Sequence, residues 1–66
     1  MDEVEKLKRL LYYWLEHNNE HAEAYRDWAR KASSPGNREI SEILDLLYYE
    51  TKRLNRLFEK AIKKIS

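Results

Sequence analysis

The chain is interrupted in one place only. Ser33-Ser34-Pro35-Gly36-Asn37 contains the single proline and the single glycine of a 66-residue sequence. Proline removes a backbone donor, glycine frees the backbone, and Ser34 or Asn37 can cap a new helix. The sequence on either side lacks both breakers and reads at helical period, which predicts helix 1 over about residues 2–32, a turn at 33–37 and helix 2 over about 38–65. Asp2 with Glu5 has capping-box spacing, acidic residues fill the first turns, and Arg30, Lys31, Lys63 and Lys64 sit in the last turns, where they complement the helix dipoles. The expected fold class is all-α, a single antiparallel helical hairpin.

Heptad counting suggests how the two helices would meet. Val4, Leu7, Leu11, Trp14, Asn18, His21, Tyr25, Trp28 and Ala32 form one stripe on helix 1, and Ile40, Ile43, Leu47, Glu50, Leu54, Leu57 and Ala61 form one on helix 2. A tight turn would then set Trp28 against Ile43, Tyr25 against Leu47, His21 against Glu50, Asn18 against Leu54 and Trp14 against Leu57. Trp14 and Trp28 read as core anchors in this register.

Apolar residues outnumber the places on one stripe: Leu10, Tyr12, Tyr13 and Leu15 surround helix 1, and Leu44, Leu46, Tyr48 and Tyr49 surround helix 2. A chain this short has a marginal core by itself, and the sequence has no cysteine for a disulfide, a thiolate zinc site or a cysteine nucleophile. Self-association as a homodimer or higher oligomer into a four-helix bundle is therefore expected. The expected interface residues are Leu10, Tyr13, Trp14, Tyr25, Trp28, Leu46, Leu47 and Tyr49. The longest uncharged apolar run, Leu10 to Leu15, is far below the roughly 18 residues of a membrane span, and no signal-peptide pattern precedes it. A soluble, cytoplasmic protein is expected, and its wealth of Lys, Arg and Glu, with no Gln, resembles a thermophile's composition.

Asn18, His21 and Glu50 form a polar layer in the middle of this seam. His17 and His21 are i and i+4 on one helix face, a spacing that lets two imidazoles reach one metal ion. With Glu20 and Glu50 they make a candidate nitrogen and oxygen site for zinc, nickel or another divalent transition metal. The same layer also reads as a buried hydrogen-bonded network that sets register. His17-Asn-Asn-Glu20-His21 fits the H-x-x-E-H spacing of some zinc proteases, but it lacks a third ligand and a cleft. The Glu-x-x-His repeats of di-metal bundles are absent. A serine triad is excluded by distance, since His21 lies roughly 18 Å along the helix from the turn serines, and one glycine cannot build a phosphate loop. The expectation is a protein that is not an enzyme.

Net charge is +1, which argues against a general preference for nucleic acid or membrane. The distribution is uneven, however. Residues 1–15 with 52–66 carry nine Lys/Arg against four Asp/Glu, and residues 16–51 carry four against eight, so the open end of a hairpin is basic and the loop end acidic.

The run His17-Asn18-x-x-His21-Ala22-x-x-Tyr25-x-x-Trp28-Ala29 resembles a helical hairpin of small archaeal proteins, some of which carry a His-rich tract. The resemblance implies that His17, Asn18, His21, Tyr25 and Trp28 belong together; the His-rich tract, suggestive of metal handling, is absent from this sequence. In size and architecture the chain is also similar to Rop, a dimeric hairpin bundle that binds paired RNA loops. That likeness implies an alternative role for Lys52, Arg53, Arg56 and Lys60 as phosphate contacts. A third reading is a protein–protein assembly adaptor that uses Tyr12, Tyr13, Tyr48 and Tyr49.

Overall fold

In a computed structural model, which describes residues 2–33 and 36–66, the chain folds into two antiparallel helices, α1 (Glu3–Lys31) and α2 (Arg38–Ile65). The Ser34-Pro35 part of the expected turn lies outside the described residues. Asp2 caps α1, its Oδ1 accepting from the Val4 N–H at 3.0 Å. At the other end the Ala32 N–H donates to the Trp28 carbonyl at 2.8 Å and the Ser33 hydroxyl to the Arg30 carbonyl at 2.7 Å, which satisfies groups the helix leaves open. Gly36 has φ +97°, a conformation an L side chain resists. α2 then starts from Asn37, whose carbonyl accepts the Ser41 N–H at 3.0 Å.

The helices form an extended slab of 53 × 17 × 11 Å. They meet along Leu11, Leu15, Asn18, Ala22, Tyr25 and Ala29 of α1, with Ala32 just past its end, and Ser41, Leu44, Tyr48, Thr51, Asn55, Phe58, Ile62 and Ile65 of α2, all buried or half-buried. Both sets alternate steps of three and four, the spacing of an antiparallel coiled-coil seam. The seam holds Leu11, Leu15, Phe58, Ile62 and Ile65 toward the open end, and toward the loop it mixes small residues, Ala22, Ala29, Ala32 and Ser41, with Tyr25, Leu44 and Tyr48. Near the loop, the Ser41 hydroxyl ties the helices by donating to the Ala29 carbonyl at 2.8 Å.

This seam corrects the register expected from the sequence. Leu11, Asn18, Tyr25 and Ala32 keep their places, but Leu15, Ala22 and Ala29 take those expected for Trp14, His21 and Trp28. On α2 the seam is displaced by one residue, about 100° around the helix. Each helix carries two adjacent stripes of the same period, and on α1 the one that joins the helices is the stripe with the smaller side chains, Leu15, Ala22 and Ala29 in place of Trp14, His21 and Trp28. Ala22, Ala29, Ser41 and Thr51 leave room there for the helices to approach, and Asn18, Asn55 and Ser41 supply hydrogen bonds across the seam.

Candidate functional site

The polar layer at mid-length is built from asparagines. Asn18 Nδ2 donates to the Thr51 carbonyl at 2.9 Å and to Asn55 Oδ1 at 2.7 Å. Asn55 Nδ2 donates to Asn19 Oδ1, which also receives Lys52 Nζ at 3.2 Å. Lys52 reaches Glu23 at 3.5 Å. The network fixes Asn18 opposite Asn55, where the sequence suggested Leu54, and it draws on Asn19 and Thr51, which sequence reasoning did not single out, and on Asn55, which it had not assigned to the polar layer. A signal was present for the asparagines: Asn19 and Asn55 fall on or beside a three-four stripe, where a side-chain amide is out of place unless another polar group answers it.

This network also defines the hairpin's two flanks. On the flank that carries Asn19 and Lys52, polar groups bridge the helices: Arg26 donates to the Tyr48 hydroxyl at 3.1 Å, with its guanidinium carbon 5.0 Å from the Tyr48 ring centre. On the opposite flank the register places Leu7, Trp14 and Trp28 of α1 beside Ile40, Leu47 and Leu54 of α2, with Leu10, Ile43 and Leu57 next to them. All nine are exposed, Trp28 at 59 % and Leu54 at 50 %. By contrast, Leu11, Ala22 and Ala29 are the buried hydrophobic side chains among the described residues.

His17 and His21 lie at the middle of this apolar flank. They do not pair with Glu50: that carboxylate is exposed and sits 3.6 Å from Arg53, at i+3 on its own helix. The imidazoles face each other, Nε2 to Nε2 at 3.1 Å, with ring centres 4.5 Å apart and planes at 85°. Tyr13 stacks on His17 at 5.7 Å and Tyr25 on His21 at 6.1 Å, so four rings at i, i+4 spacing form one column along α1. Glu20 Oε2 stands 3.9 Å from His17 Nδ1. Among the described residues of one chain, no three His, Asp or Glu converge to hold a metal ion. The tentative set of His17, His21, Glu20 and Glu50 therefore separates into a histidine pair with a neighbouring glutamate, and Glu50 paired with Arg53.

The expected interface residues separate as well. Leu10, Trp14, Trp28 and Leu47 share the apolar flank, Tyr25 is half-buried in the seam, and Tyr13, Leu46 and Tyr49 are exposed away from the centre of the flank. Of the cations considered for nucleic acid, Lys52 is held by Asn19 and Glu23 and Arg53 by Glu50. Arg53 and Arg56 line a shallow hollow with Tyr49 and Lys52, and Lys60 is exposed on the same helix. Among the described residues, no helix is long and apolar enough to cross a membrane.

Fold and site together define a class: a two-helix hairpin with a polar knot in its seam and an uncovered apolar flank. The chain belongs to the family described as Domain of unknown function (DUF8180), whose model matches residues 7–65. No curated protein and no solved structure matches it.

Proposed function

We propose that the chain acts by assembly, without chemistry of its own, as a hairpin that pairs with a second copy through its apolar flank to make a four-helix bundle. The uncovered flank carries this reading. Large apolar side chains run the length of both helices on one side, whereas the seam between the helices buries little beyond Leu11 and two alanines. Contiguous exposed apolar surface of this kind marks an interaction site.

The surface area supports the same conclusion. The chain exposes 5526 Å², whereas a compact monomer of 8.1 kDa would expose about 4,500 Å². The excess, about 1,000 Å², is comparable to the roughly 800 Å² each partner buries in a standard interface. A second copy fits because the flank is matched to itself in chemistry, apolar at both ends with a histidine pair between.

Charge selects the arrangement. With the basic open end of one hairpin on the acidic loop end of the other, opposite charges meet at both ends; loops at the same end would stack like on like. In the antiparallel arrangement a two-fold axis lying in the interface sets each α1 against the α1 of its partner.

Sedimentation equilibrium over a concentration series tests this reading, with helicity followed by circular dichroism. The expected result is a dimer whose helicity falls on dilution, and a monomer for Leu47→Glu combined with Leu54→Glu. A wild-type chain that remains monomeric and fully helical at every concentration would refute the proposal.

A further inference from the structure

We infer that the dimer holds one divalent transition-metal ion on its two-fold axis, bound by His17 and His21 of both copies. This inference rests on the antiparallel pairing proposed above. The middle of α1 is at residue 17; the middle of α2, near residues 51 and 52, lies beside residues 21 and 22 in the register fixed by Asn18 and Asn55. The midpoint of the hairpin thus falls between His17 and His21. Full overlap of two antiparallel hairpins sets His17 of each copy at the level of His21 of the other and gathers four imidazoles at the axis.

The pair already has the geometry of half a site. Two nitrogens on a tetrahedral ion with bonds of 2.0–2.1 Å stand about 3.3 Å apart, and the two Nε2 atoms are 3.1 Å apart and face each other. Without metal, that approach requires one ring to donate a proton to the other; an ion replaces the shared proton and is bound by both lone pairs. The tyrosines stacked at either end restrict the rings to this orientation. A metal-bound imidazole commonly gives its remaining N–H to a carboxylate, and Glu20 stands beside Nδ1 of His17. One Glu20 from each copy also balances the charge of a dication held by four neutral ligands. Imidazole donors of this number suit zinc, cobalt, nickel or copper and not calcium or magnesium.

Stoichiometry tells the two dimer arrangements apart. With the loops at opposite ends the two pairs share one ion. With the loops together, each pair faces α2 of the other copy near Glu50 and Leu54, and any binding would be one ion per chain.

Native mass spectrometry and absorption spectroscopy with Co²⁺ or Zn²⁺ as the probe test the inference, with sedimentation in chelator run alongside. We expect one ion per dimer, visible d–d bands of tetrahedral Co²⁺, loss of both in His17→Asn and in His21→Asn, retention in Glu50→Ala, and affinity roughly tenfold weaker in Glu20→Gln. Both histidines are exposed in the single chain and asparagine keeps a polar side chain there, so helicity is expected to be retained, and circular dichroism with sedimentation in chelator reports on folding and assembly separately from metal uptake. A dimer that takes up no ion overturns the metal site and leaves the assembly standing. One ion per chain, or binding that survives His21→Asn, overturns the shared site. A chain that stays monomeric with and without metal overturns the assembly itself.

Discussion

Asn55→Ala is the substitution that most directly tests the seam. Asn55 is 7 % exposed and joins two hydrogen bonds, accepting from Asn18 and donating to Asn19. Alanine removes both. A neutral bond contributes about 0.5–1.5 kcal/mol net, so the expected loss is about 1–3 kcal/mol. It is held to that range because Asn18 keeps its bond to the Thr51 carbonyl and Asn19 keeps Lys52. In a chain of this length a kilocalorie shifts the melting temperature by roughly 4–8 °C, so a central loss of about 2 kcal/mol predicts a drop of about 8–16 °C. The assay is thermal and urea unfolding at one fixed protein concentration, because an associating chain changes its apparent stability with dilution. A double-mutant cycle with Asn18→Ala should show a coupling of at least about 0.5 kcal/mol between the two positions. The double variant Asn18→Leu with Asn55→Leu should recover most of the stability, since no donor is then left facing an apolar wall. It should also lose uniqueness of register, visible as broadened amide resonances. An Asn55→Ala protein within about 0.5 kcal/mol of wild type, with no coupling to position 18, would refute the argument that the asparagine network sets the register.

Two further predictions concern the ends of the helices. Gly36→Ala should destabilise by about 1–2 kcal/mol through backbone conformation alone, because φ is +97° and an added Cβ would meet nothing within 4 Å; equal unfolding midpoints for the two proteins would contradict this. Asp2→Ala removes the side-chain acceptor for the Val4 N–H and should lower stability by about 1 kcal/mol, with amide exchange accelerating first over residues 3–6; unchanged exchange there would show that the cap is not formed in solution.

The hairpin was legible in the sequence because its signals are local. A lone proline and glycine between two breaker-free segments, an aspartate three residues before a glutamate, and basic residues in the last turns each act within one or two helical turns of where they stand. The histidine pair was equally legible as a pair, since i and i+4 share a face on any helix. Which face each helix turns toward the other was not legible. Two stripes one residue apart satisfy the same period, and heptad counting settled on the stripe with Trp14, Trp28, Leu47 and Leu54. Packing chose the stripe with Ala22, Ala29, Ser41 and Thr51, because two helices joined by a short turn gain most from close approach and from amides that answer each other across the seam. That choice needs both helices present at once. Asn18 carries no sign in its own helix that Asn55, 37 residues later, is its partner. Sequence by itself thus determined two helices, their polarity and two candidate stripes on each. Tertiary structure decided the rotation of each helix, which set Asn18 and Asn55 into the seam and turned Trp14, Trp28, Leu47, Leu54 and the histidines outward.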